Sequence, residues 1–160
     1  MDDHDADRLA IEAHAGLDRI ALIVRSHRRL TGRDLVPCGV DDAATARALW
    51  QLPSVVLAHG TGSDPRFFYA NRAGLARFAM TPDTFLGLPS RLSAEALERG
   101  ERERLLAHVT ADGFIDDYAG VRVAANGQRF MIRAATVWNL VDETGERHGQ
   151  AATFADWADL

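Results

Sequence analysis

The stretch from residue 114 to residue 154 reads as three β-type runs, interrupted at Asn126-Gly127 and at Glu143-Thr144-Gly145. Side chains on a strand alternate faces with period two, and a glycine-containing turn between two such runs is the strongest short-range hairpin signal. This part of the chain is therefore committed to antiparallel strands. A two-residue turn at Asn126-Gly127 predicts Ala125 opposite Gln128, hence Val123 opposite Phe130 and Val121 opposite Ile132, with Arg122 and Met131 on the other face. A three-residue loop at Glu143-Thr144-Gly145 predicts Asp142 opposite Glu146, Trp138 opposite Gln150 and Thr136 opposite Ala152. If Phe130, Ile132, Ala134, Thr136 and Trp138 share the inner face, Gln150 and His148 project into an otherwise apolar interior.

Ahead of these strands the period changes at Pro53. Ala10, Ala13, Leu17, Ile20, Val24 and His27 recur at steps of three and four, which predicts one helix from Ala6 to Leu30. Ile11, Leu22 and Ile23 lie off that seam, so the helix is expected to bury a second side, and pairing with a second copy of the chain would do so. Residues 31–40 read as a linker. Asp41 or Asp42 can cap a short helix that Pro53 stops. Residues 54–59 and 66–70 form a hairpin around Thr61-Gly-Ser-Asp-Pro65, Asn71 caps the next helix, and Thr81-Pro-Asp83 starts another. Ser93 is expected to open a longer helix with Leu97, Leu105, Leu106 and Val109 on its apolar face, closed at Asp112-Gly113. The organisation expected is a helix and linker over 1–40 and an α+β domain over 41–160, a five-stranded antiparallel sheet with helices on one face.

Composition narrows the function classes. The single cysteine, Cys38, has no partner within the chain, which fits a reducing compartment and excludes a cysteine metal cluster. The longest aliphatic run, Ile20 to Val24, is too short to span a bilayer, and acidic residues fill the first positions where a signal peptide needs positive charge. We expect a cytoplasmic protein. With a net charge of −5 there is no global basic field for nucleic acid or an anionic membrane. Arg25, Arg28, Arg29 and Arg33 cluster where a helix ends, and there they complement its dipole.

Two strands, a group of helices and three more strands is the element order of a PAS domain. Phe68-Tyr-Ala-Asn71, Gly87-Leu-Pro-Ser-Arg-Leu-Ser-Ala94, Asp117-Tyr-Ala-Gly-Val-Arg122, Gly127-Gln-Arg-Phe130, Val137-Trp-Asn-Leu140 and His148-Gly-Gln-Ala-Ala-Thr-Phe154 together resemble the MEKHLA family, over Trp50 to Trp157. That family is a PAS-related domain, found alone in bacteria and at the C-terminus of plant homeodomain leucine-zipper proteins; the resemblance here is to the stand-alone type. It implies a sensory, ligand-binding or protein-interaction module that passes its signal to a partner or through rearrangement of a homodimer. It does not imply chemistry, and the DNA-binding role of the plant proteins does not carry over.

Candidate site residues follow from the residues themselves. A buried Gln150 must satisfy two donors and an acceptor beside His148, Trp138 and Thr136. A small organic ligand, a backbone carbonyl, the Trp138 indole or ordered water can meet them, and in flavin-binding PAS relatives a last-strand glutamine meets the cofactor. Arg91, between Ser90 and Ser93, can hold a carboxylate or phosphate with the following helix N-terminus, or Ser93 simply caps that helix. An adduct-forming flavin needs a cysteine after the second strand, and Cys38 precedes the domain. Haem needs a histidine such as His108 directed inward, where a solvated surface position is the ordinary reading. The alternating arginines and glutamates from Arg91 to Arg104 read as a solvated helix face. No nucleophile elbow, His-Glu-x-x-His or phosphate loop is present, and adjacent Asp116 and Asp117 point to opposite faces of a strand. A small α+β enzyme acting in the sheet–helix cavity is the alternative function.

Overall fold

The computed structural model describes residues 3–37, 41–94 and 96–160. Cys38 and Glu95 fall outside these, as do the side chains of Leu97, Glu98, Arg99 and Arg102, together with the expectations placed on them. The elements are α1 (Asp3–Ala15), α2 (Leu17–Thr31), α3 (Asp42–Gln51), β1 (Val55–His59), β2 (Phe67–Ala70), α4 (Arg72–Phe78), α5 (Pro82–Phe85), a 3-10 turn (Ser90–Ser93), α6 (Ala96–Asp112), β3 (Phe114–Val123), β4 (Arg129–Val141), β5 (Arg147–Phe154) and β6 (Asp156–Asp159).

Local chemistry explains most boundaries. Asp41 caps α3 by accepting from Ala44 N, and Thr81 with Thr84 forms a reciprocal capping box on α5. Asn71 does more than cap. Its Oδ1 accepts from Gly74 N in the first turn of α4 and from Val56 N on β1, both at 3.0 Å, while Nδ2 donates to the carbonyls of Leu49, Leu52 and Ser54. One fully buried amide thus joins α3, β1 and α4. Ser93 does not cap α6: it sits in the 3-10 turn and donates to Ser90 O at 2.7 Å.

The N-terminal helix expected to be continuous from Ala6 to Leu30 is two helices, broken at Gly16, whose φ of 84° is a left-handed conformation that glycine adopts without strain. The break changes the helical phase, so Ala10, Ala13 and Leu17 of the expected seam are exposed. Ile11, Ile20 and Ile23 are instead completely buried within the chain itself. Of the off-seam residues, Ile11 and Ile23 therefore need no second copy to cover them, and Leu22 packs half-buried against the same core.

The sheet has the order β2-β1-β5-β4-β3, antiparallel throughout, and a sixth strand, β6, continues along β4 beyond the end of β5. Helices α4 and α6 pack on one face, where Phe78 meets Phe130 edge-on at 5.3 Å and Asn139 Nδ2 donates to Val109 O at 2.8 Å. Helix α2 takes the other face, with Trp138 Nε1 donating to Ile23 O at 3.2 Å and the His27 ring against the Trp138 ring at 4.8 Å.

Three one-residue departures from the expected registers decide what points inward. The β3–β4 connection is a three-residue loop, closed by Ala124 N to Gln128 O at 2.9 Å, with Gly127 at φ 86°. Val123 consequently pairs with Arg129 and Arg122 with Phe130, which turns Arg122 to the inner face. Within β4, Ala134 adopts φ 51° in a bulge, between the pairs Gly120–Ile132 and Tyr118–Ala135. Beyond the bulge the alternation inverts, and Trp138 looks outward to α2. Along β5 the pairing Val141–Arg147 gives way to Leu140–Gly149, so His148 is the extra residue and Asn139, not Trp138, lies opposite Gln150. Gly149 sits where β5 crosses β1: a Cβ there would lie 2.1 Å from His59 O.

Candidate functional site

Between α6 and the inner sheet face lies a cavity of about 50 Å³. Most of its wall is apolar, with Leu57, Phe78, Val137 and Phe154 from the sheet side and α4, and Leu105 and Leu106 from α6. Leu105, Leu106, Ile115 and Ala152 are its half-buried lining. Five polar side chains also line it: His59, Ser93, Tyr118, Arg122 and Gln150. Burial of polar groups without partners is expensive, so the state of each of these decides what the cavity can do.

Gln150 is 2% exposed. Its Nε2 lies near three acceptors, Thr110 Oγ1 at 3.0 Å, Asn139 Oδ1 at 3.1 Å and Leu106 O at 3.2 Å. The Asn139 amide is itself oriented by its donation to Val109 O, so its Oδ1 must face Gln150, and the glutamine amide has one consistent orientation. Among the described residues the hydrogen bonds of Gln150 all run from Nε2, and none reaches Oε1. The protein satisfies the amino half of the amide and leaves the carbonyl half unbonded on a side chain that lines the cavity.

Arg122 is 8% exposed and stands on the same wall. Its Nη2 donates to Tyr118 Oη at 2.8 Å and its Nη1 to Val121 O at 3.0 Å, and the guanidinium lies 5.1 Å from the centre of the Tyr118 ring. His59 Nδ1 lies 2.9 Å from Gly60 O, which fixes that nitrogen as the donor in the neutral ring.

Of the residues expected to form the site, the structure brings only Gln150 to the cavity. Trp138, completely buried, is on the opposite face because the Ala134 bulge inverts the strand. Thr136 is turned away by the same bulge and pairs with Thr153. His148, displaced by the β5 irregularity, is exposed and bonds Asp142 Oδ2 at 2.8 Å. Arg91 is exposed too and pairs with Asp64 at 3.1 Å. His108 lies on the solvent side of α6, 3.9 Å from Asp112. The polar cavity residues missed from sequence are Arg122 and Tyr118, which the turn at Asn126-Gly127 placed on the wrong face, Ser93, read as a helix cap, and His59, read only as the end of a strand.

Asp142, Glu146 and His148 offer ligand atoms within 4.8 Å of one another. Hydrogen bonds within the turn account for this cluster. Asp142 Oδ1 accepts from Thr144 N, Thr144 Oγ1 and Glu146 N, and these contacts with His148 hold its carboxyl well below the usual carboxylate range, the His148 bond contributing most.

A sheet of this order with helices and a cavity on one face has the PAS-like fold. A PAS domain from Colwellia psychrerythraea superposes with a TM-score of 0.62 at 10% identity, over 74% of this chain and 95% of that one. An RNA-binding light-oxygen-voltage receptor gives 0.60 at 16% identity, over 76% and 35%. The light-state dimer of the fungal blue-light photoreceptor Vivid gives 0.58 at 15% identity, over 84% and 91%. The MEKHLA domain model matches residues 17–159, and the chain belongs to the MEKHLA family. That match begins at the start of α2, well before Trp50. Curated relatives are the homeobox-leucine zipper proteins ATHB-9 of Arabidopsis thaliana, 29% identical over 152 residues, and HOX32 of Oryza sativa subsp. japonica, 26% over 140 residues. The chain is covered to 89% and 85% but spans only 18% and 16% of those proteins, in which it corresponds to one domain of a larger whole.

The flavin chemistry of the light-sensing neighbours does not fit these residues. Cys38 is the one cysteine in the sequence and lies before β1, and about 50 Å³ is far below the room that drug-sized and cofactor ligands occupy. Among the described residues no helix is long and apolar enough to cross a membrane.

Proposed function

We propose that this PAS-like module senses a small organic molecule in the cavity between α6 and the sheet, and that its signal leaves through α2 on the opposite face. The unbonded carbonyl of Gln150 carries this reading. A buried amide whose amino group is held by α6 and β4 while its oxygen is left over is arranged to accept from something inside the cavity. Strand β4 supplies the link outward, because Val137 lines the cavity while its neighbour Trp138 donates to Ile23 O of α2. A ligand that shifts β4 therefore acts on α2 through adjacent residues. We place this activity in the cytoplasm, consistent with a single cysteine, and propose a second copy of the chain as the partner. Leu9 and Leu17, 44% and 37% exposed on α1 and α2, are the contact offered, and Vivid is a dimer in its light state.

Native mass spectrometry and an absorption spectrum of the freshly purified chain test this. A species heavier than 17.5 kDa by the mass of a small molecule supports the reading. Turnover of an added small molecule by the unmodified chain would instead favour the enzyme alternative.

A further inference from the structure

Arg122 is a buried cation. Among the described residues it makes no ion pair, and two hydrogen bonds, to Tyr118 Oη and Val121 O, engage its five N–H donors only in part. Burial of a charge is costly unless it is paired, and structural arginines are ordinarily buried against carboxylates. The arrangement is also built rather than incidental. Gly120 lies between the two partners on β3, and a Cβ there would come within 2.8 Å of Tyr118 Oη and 3.4 Å of Arg122 Nη1. The bare backbone at Gly120 is what lets the hydroxyl lie along the strand and hold the guanidinium at the cavity wall.

We propose that the cavity is selective for a small monocarboxylic acid, bound as its anion against Arg122; this deepens the reading above and rests on it. A planar guanidinium matches a carboxylate with two parallel hydrogen bonds. One positive charge in an apolar cavity balances one negative charge. A phosphate monoester, carrying about −1.5 to −2 near neutral pH, would leave buried charge uncompensated. The apolar lining, with Leu57, Phe78, Val137 and Phe154, suits a small aliphatic body. Gln150 Oε1 then accepts from a hydroxyl or N–H group on the same molecule, so an acid carrying one such donor binds better than the plain acid.

The test uses the full chain and three probes, 3-methylbutanoate, 3-methylbutanamide and inorganic phosphate, titrated by calorimetry and by heteronuclear NMR. We expect the acid to bind about tenfold or more tighter than the amide and than phosphate. Arg122→Gln should abolish that preference while the amide binds the parent and the variant alike, with the NMR spectrum reporting whether the variant is folded. Should Arg122→Gln not fold, the ratio of acid to amide in the parent decides by itself. Equal affinities for acid and amide overturn the acid selectivity and leave the cavity a ligand site. Phosphate binding as tightly as the acid overturns it in the same way. Failure of acid and amide alike to bind at millimolar concentration overturns both this inference and the small-molecule reading it rests on.

Discussion

Replacing Gln150 by leucine separates a ligand contact from a strut between α6 and the sheet. The substitution keeps an unbranched first carbon and a similar volume, so it opens no large cavity. It removes two N–H donors shared among Thr110 Oγ1, Asn139 Oδ1 and Leu106 O, each bond worth about 1 kcal/mol net. The acceptors left behind are not all orphaned. Leu106 O keeps the Thr110 hydroxyl at 2.9 Å, and Asn139 Oδ1 keeps a long contact from Arg147 Nε at 3.4 Å. The full desolvation penalty is therefore not incurred, and burying an isobutyl group in place of an amide returns on the order of 1 kcal/mol. We expect a net loss of about 1 kcal/mol, read as a fall of roughly 2–4 °C in Tm for a chain of this size, with an unchanged urea m-value. Calorimetric titration of an acid that also carries a hydroxyl should show its advantage over the plain acid lost in the variant. A stability loss above about 3 kcal/mol would refute the reasoning, because it would mean that the amide holds α6 in place and is not available to a ligand.

Asn71→Ala removes a cap worth about 1 kcal/mol and strands the buried Val56 N–H, worth about 1–3 kcal/mol more; urea unfolding should show a loss of about 3 kcal/mol, and a loss below about 1 kcal/mol would leave only the cap. Burial against Trp138 lowers the His27 pKa from its ordinary value of 6.5, with smaller opposing effects from the Arg33 carbonyl and Asp34, so the unfolded chain takes up the proton first and stability declines as pH falls below about 6.5. His27→Gln should flatten the difference in unfolding midpoint between about pH 7.5 and about pH 5.5, and an unchanged difference would assign the effect to another group. Ala134→Gly should stabilise by about 0.5–1 kcal/mol by relieving a left-handed alanine, whereas Ala134→Val should destabilise; the opposite order by thermal unfolding would contradict the bulge. Light scattering at tens of micromolar should give about twice 17.5 kDa, shifted towards the monomer by Leu9→Asp with Leu17→Asp; a parent that scatters as a monomer removes the proposed second copy.

Element order between Asp41 and Phe154 was legible in the sequence because it rests on punctuation that acts locally, whereas the break at Gly16 and the strand β6 were missed. Asp41, Asn71, Thr81 and the Glu143-Thr144-Gly145 loop each form as their chemistry dictates, and these fix where helices and strands start. Which side of a strand a residue occupies is a different kind of quantity, since a single extra residue anywhere upstream inverts it. Asn126-Gly127 is compatible with a two-residue turn and with a three-residue loop carrying glycine in the left-handed position, and the second exchanges the faces of Val121 and Arg122. No residue type marks the bulge at Ala134, an alanine beside another alanine, whereas Gly149 inside β5 did carry a signal, because a glycine in a strand often marks a bulge or a close backbone crossing. The inward direction of Gln150 was obtained through two compensating shifts. The Ala134 bulge turns Trp138 outward, and the extra residue at His148 moves Gln150 from opposite Trp138 to opposite Asn139, so the two inversions cancel for Gln150 alone. Trp138 and Thr136 meet only the first of them and His148 is the second, which is why those expected neighbours left the cavity while the glutamine stayed. A site assembled across strands is thus less legible than the fold that carries it, and Arg122, the charge that gives this cavity its proposed selectivity, was hidden by a turn one residue longer than its sequence announced.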